Sequence, residues 1–162
     1  KAAGSVGASF LKVPPGARSM GMAEAAAAGI DGPEALFYNP AGLARRPAPA
    51  LREIRIGYNN LLEGAHSGAL AYSFPTWGGV AGLGLVYFSQ SGQTAYTSQG
   101  DPAGSFSAGD LALSGAYAGA VGRLRLGGGL KVIRSSIANV SGASFSTALV
   151  ILALLQADPQ DA

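Results

Sequence analysis

From residue 52 onward, large apolar side chains recur at every second position. In residues 52–59, Ile54, Ile56 and Tyr58 share one face, and Glu53, Arg55, Gly57 and Asn59 share the other. In residues 66–74, Leu70, Tyr72 and Phe74 alternate with Ser67, Ala69, Ala71 and Ser73. Further on, Leu111, Leu113, Tyr117 and Val121 oppose Asp110, Ala112, Ser114 and Ala116. Then Leu124, Leu126, Leu130 and Val132 oppose Arg123, Arg125, Gly127, Gly129 and Lys131. A period of two sends successive side chains to opposite faces of a sheet, so each stretch is predicted as a β-strand. Residues 78–89 and 137–149 read as two more, about six in all. Asn59-Asn60 with Gly64, Pro75 with Gly78-Gly79, and Gly122 supply turn chemistry between them. The polar stretch 89–105, SQSGQTAYTSQGDPAGS, is predicted as the longest connecting loop.

Before residue 50 the period of two is absent. Residues 17–28, ARSMGMAEAAAA, are rich in alanine and predict a helix. Asp31 is placed to cap a second short helix, with Pro33 and Glu34 in its first turn and Tyr38 near its end. Asn39-Pro40 stops that helix, because a residue before proline avoids the α region, and Gly42 is expected to break the chain again. The chain therefore divides into a helical section, residues 1–50, a strand section, 51–150, and an irregular tail, 151–162.

Composition decides what the strands face. Charged residues make up only 12% of the 162 residues, about half the share of an average soluble domain. A soluble β-sandwich alternates too, but it covers its polar face with Lys, Glu and Thr. Here that face is built largely from Ala, Ser and many of the 25 glycines, and several strands reach ten or more residues. No run of about 20 apolar residues is present, the longest being residues 148–155, so a bilayer is expected to be crossed by strands. Trp77, Tyr72 and Tyr87 lie near strand ends, where an interfacial aromatic girdle would stand.

Candidate chemistry is sparse. There is no cysteine, and the single histidine, His66, has no triad or metal-site spacing around it. Gly127-Gly128-Gly129-Leu130-Lys131 lacks the spacing of a phosphate loop and lies within a strand pattern. Asp101 and Asp110 are isolated carboxylates. No catalytic, cofactor-binding or metal-ligating set is predicted, and the chain is not expected to be an enzyme. Arg45-Arg46 and the Arg123/Arg125 pair form no basic stripe, so a nucleic-acid partner is not expected either.

A family resemblance rests on the helical section. Phe10-Leu11-Lys12, then Gly16-Ala17-Arg18-Ser19-Met20-Gly21-Met22, then Ala35-Leu36-Phe37-Tyr38-Asn39-Pro40-Ala41-Gly42-Leu43-Ala44 follow in order. This resembles the PorV/PorQ family of outer-membrane proteins, related to FadL-type barrels, with its "FLK…GARxxGM" segment and its "NPAGLA" motif before the first strand. Phe37-Tyr38 stands where the family often has Tyr-Trp. Residues 106–110, FSAGD, and 127–133, GGGLKVI, resemble later family segments.

The resemblance implies an antiparallel all-β membrane barrel in the bacterial outer membrane, FadL-like, with a small N-terminal helical plug and outer-membrane lipid around it. It implies binding or shuttling of cargo for protein secretion of the type IX kind. The broader FadL likeness implies instead passive transport of fatty acids or other hydrophobic molecules. Asn39, Pro40, Ala41 and Gly42 are the motif residues it singles out, as a turn that orders the plug, with gating or ligand contact as the functional alternative. Family barrels have about fourteen strands, and about six cannot close a barrel of that size. After Ser146 the pattern gives way to ALVILALLQADPQDA, so a truncation or frame change near residue 146 is expected.

Overall fold

A computed structural model describes residues 9–22, 29–45, 52–96, 99–100, 102–122, 124–137 and 140–152. Six antiparallel strands pair in chain order to form one open sheet: β1 (Glu53–Asn60), β2 (Ala65–Thr76), β3 (Gly79–Tyr96), β4 (Pro102–Val121), β5 (Leu124–Ile137) and β6 (Val140–Leu152). β1 and β6 are its edges. Among the described residues, no helix is long and apolar enough to cross a membrane.

Register gives the sheet two unlike faces. On one, Ile56, Leu70, Leu85, Leu113 and Val132 pair in a continuous row, beside a second row of Ile54, Tyr72, Leu83, Gly115 and Leu130. Nothing among the described residues covers them: Ile56 is 78% exposed, Leu130 63% and Leu113 55%. On the other face the rows read Gly57, Ala69, Val86, Ala112, Ile133 and Arg55, Ala71, Gly84, Ser114, Lys131. A one-residue slip would exchange the two faces, so the alternation itself holds the register.

The small-residue face carries the helical section. That section comprises a 3₁₀ turn (Ser9–Lys12), helix α1 (Ala17–Gly21), a 3₁₀ turn (Gly32–Glu34), helix α2 (Ala35–Tyr38) and a 3₁₀ segment (Pro40–Arg45). Two buried clusters join it to the sheet. Ile30, Ala35, Leu36 and Leu43 pack with Val80 and Ala118, and Phe10 packs with Ala69, Val86, Ala112 and Ile133.

The hairpin turns differ at the two ends. β2 and β3 are joined by Trp77-Gly78 alone, both with positive φ (44° and 76°), the geometry of a type I′ turn that matches strand twist. A tryptophan there carries a left-handed penalty of about 1–2 kcal/mol. The Tyr117 hydroxyl donates to its carbonyl at 3.1 Å and holds the turn in place. β4 and β5 also turn at this same end, after Val121, where Gly122 has φ 59°.

At the opposite end β3 and β4 outgrow their neighbours. Pairing with β2 stops at Gln90 and pairing with β5 at Ala108, yet Gln93, Thr94 and Tyr96 still pair with Phe106, Ser105 and Pro102. The predicted loop 89–105 is therefore mostly a two-stranded ribbon with register shifts along it. Ladder hydrogen bonds use backbone atoms, so a polar stretch extends a strand wherever no apolar face is required.

Other expectations change in detail. The helix predicted over 17–28 ends at Gly21, and residues 23–28 lie outside the described residues. Asp31 has the extended geometry of an N-cap (φ −129°, ψ 171°) but makes no side-chain capping bond, and pairs instead with Arg18 at 3.4 Å. Asn39 ends α2 in extended backbone, as predicted before proline. Gly42 does not break the chain; it lies inside the Pro40–Arg45 segment, close under the Ile30 carbonyl and the Ala35 Cβ. β6 runs past residue 146 to Leu152, so Ile151 and Leu152 are strand; residues 153–162 of the expected tail lie outside the described residues.

Candidate functional site

The motif residues meet the sheet at the seam between the helical section and β5. Asn39 is 2% exposed and turns inward on its own backbone. Its Oδ1 accepts from the Ala41 N–H at 3.2 Å, its carbonyl accepts from the Gly42 N–H at 2.9 Å, and its N–H donates to the Ala35 carbonyl at 2.8 Å. This is an Asx turn: a short amide stands in for a backbone acceptor and starts the next helical turn. Pro40, with φ fixed by its ring, completes the corner. All four residues, Asn39, Pro40, Ala41 and Gly42, are buried.

That corner rests directly on the sheet. A Cβ at Gly127 would collide with the Pro40 and Ala41 backbone, and one at Gly84 with the Leu36 and Phe37 side chains. The sheet glycines leave room for backbone to approach backbone, and this explains why the face opposite the leucines is built from small residues.

The other quoted motif holds the same segment from its far side. The Ser19 hydroxyl lies 2.8 Å from the Gly16 carbonyl and 2.9 Å from Glu34 Oε1, and Ser19 is fully buried. Arg18 reaches Asp31 at a partly exposed position. From β1, the Asn59 amide donates to the Pro14 carbonyl at 3.1 Å and to the Ser67 hydroxyl at 3.2 Å. The residues of GARS and NPAG thus fold the section onto itself and onto the sheet.

Of the other residues singled out, His66 stands on the apolar face with its Nδ1 buried and no hydrogen-bond partner in the structure. Trp77 is 92% exposed at its turn. Tyr72 stacks on Phe74 at 5.4 Å between ring centroids, on the uncovered face. Tyr58 and Tyr87 stand towards one end of that face, and Tyr117 and Trp77 towards the other. Among the described residues no three His, Asp or Glu side chains gather as a metal site would require.

Sequence reading passes over one feature. Between the helical section and the sheet lies a cavity of about 210 Å³, lined by Leu11, Lys12, Val13, Pro15, Phe37, Tyr38, Val86 and Lys131. The available signal is Lys131 itself, an ammonium between Gly129 and Ile133 on the face of β5 that meets the helical section. Comparison with protein-family models, with curated proteins and with solved structures gives no match to this chain.

Proposed function

We propose that this chain supplies the plug and part of the wall of a bacterial outer-membrane β-barrel of the PorV/PorQ type, which binds or shuttles secreted cargo. The observation that supports the reading is the uncovered apolar face, opposite a small-residue face that carries a helical section. A water-soluble sheet buries its leucines and exposes its small and polar residues. Here the arrangement is reversed, as suits lipid outside and a plug inside.

Dimensions support it too. On β5 the outward residues from Leu124 to Val132 extend roughly 27 Å along the strand, or about 21 Å across a bilayer at ~40° tilt, near the ~25 Å apolar band of such barrels. Tyrosines stand towards both ends of the face, with Trp77 at a turn, in the manner of interfacial girdles. Closing the wall requires strands beyond these six, paired to the β1 and β6 edges, since an open edge in lipid leaves backbone groups without partners. The choice of PorV/PorQ over a FadL-like transporter rests on the GARxxGM and NPAGLA phrasing.

Two measurements test this. Protein folded in detergent is expected to show β-rich circular dichroism and a gel mobility that changes on heating; a water-soluble monomer at high concentration would overturn the barrel. Native mass spectrometry of protein extracted gently from its own membrane is expected to show a bound secreted polypeptide. Bound fatty acid or hydrocarbon with no polypeptide would overturn the cargo role in favour of hydrophobic transport.

A further inference from the structure

We infer that Arg134, beside a notch over Gly109 on the uncovered face of the sheet, binds the phosphate headgroup of a bilayer lipid. The inference rests on the barrel reading and names a resident lipid, held on the face away from the helical section.

Along the paired strands β1–β5, Arg134 is the single Lys, Arg, Asp or Glu on that face among the described residues. It is exposed and lies in register with Leu111, in a row that continues through Tyr87 and Gly68 to Tyr58. The next row on one side holds Leu113 and Val132, and the next on the other reads Asn60, His66, Ser89, Gly109 and Ser136. Tyrosine rings and a guanidinium thus share one height, where leucines give way to hydroxyls and amides. In a bilayer that is headgroup depth, where a cation meets lipid phosphate.

No acidic side chain competes for the guanidinium. Asp110 stands in register with Ser135 on the opposite face, and Arg134 has no ion pair among the described residues. Its counter-charge must come from whatever covers the face. Ser136 follows on the same face, about 7 Å along the strand. Opposite Ser136, a Cβ built on Gly109 would meet nothing closer than the Phe88 carbonyl at 4.0 Å, so a notch is open there. A phosphate in the notch accepts from the guanidinium in bidentate fashion and from the Ser136 hydroxyl. Its hydrocarbon chains then run along Leu111, Leu113 and Val132, and this pairing of head and tail selects a lipid over inorganic phosphate. The tight turns lie at the other end of the sheet and the β3–β4 ribbon at this one. Outer-membrane barrels keep their short turns in the periplasm, which puts the site in the outer leaflet.

The test refolds the whole protein in detergent and offers it phosphatidic acid or diacylglycerol with the same acyl chains, read by native mass spectrometry. Retention of phosphatidic acid about tenfold above diacylglycerol is expected, with the preference lost in Arg134→Gln, largely kept in Arg134→Lys and reduced about threefold in Ser136→Ala. Arg52→Gln, exposed at the opposite end of the sheet, is expected to leave the preference unchanged. Equal retention of the two lipids, or a preference that survives Arg134→Gln, would overturn the site. Displacement by inorganic phosphate at equal concentration would overturn the lipid as its occupant. Heat-modifiable gel mobility of the same samples separates the two readings. Present without a lipid preference, it leaves the barrel and removes only this site; absent from the unsubstituted protein, it removes both.

Discussion

The two faces of the sheet are made by the same strands, yet they obey opposite rules. On the side that carries the helical section, Ala71, Ala112 and Ala118 are fully buried, and contact is so close that glycine is required where Pro40 and Ala41 lie on Gly127. On the far side, leucines, isoleucines and tyrosines stand largely uncovered. Residue size therefore differs between the faces: small residues where backbone packs on backbone, large apolar ones where no described residue covers the sheet. Exposed leucine on this scale suits the lipid neighbour we propose for this face.

Substitutions on the two faces break or sharpen that contrast. The largest expected effect is on the covered side, where Leu36→Ala removes a buried contact with Gly82 and Gly84 and should cost about 2–5 kcal/mol, read from urea unfolding in lipid vesicles. On the uncovered side, Leu113→Arg should cost about 2–4 kcal/mol in the same vesicles. At an exposed position of a water-soluble sheet that change would stay within about 0.5 kcal/mol, so a neutral result would erase the distinction between the faces. Asn39→Ala deletes the Asx turn and should cost about 0.5–2 kcal/mol, with faster amide exchange confined to residues 40–45. Arg18→Ala removes a solvent-screened pair with Asp31 and should change stability by less than about 0.5 kcal/mol.

Legibility in the sequence followed the same divide. Strands β1, β2 and β5 were readable because Ile54, Ile56 and Tyr58, or Leu124 through Val132, leave no doubt about the period. The ribbon beyond Gln90 carries no face signal in the sequence because its residues are polar, although their backbone pairs as well as any other. Alanine-rich propensity overstated α1, which ends at Gly21, and an isolated helix of that length has little stability of its own. Asp31 had the residue type and dihedral angles of a cap, but Arg18 stood within reach and took its carboxylate. Asn39-Pro40 was legible as a stop because the restriction on a residue before proline is local. Its resting place on Gly127 was not.

What the sequence by itself determined is therefore local: the alternation that makes strands, the turn signals around Gly78-Gly79 and Gly122, the proline stop, and the sorting of side chains into a large apolar and a small set. Only the tertiary structure decided which set the helical section covers, that the NPAG corner lies on Gly127, and that Lys12 and Lys131 share one cavity. The physical reason is range. Dihedral preferences and side-chain period act between near neighbours along the chain, whereas the register of five strand pairs brings distant residues together and leaves each face to whatever medium can accommodate it.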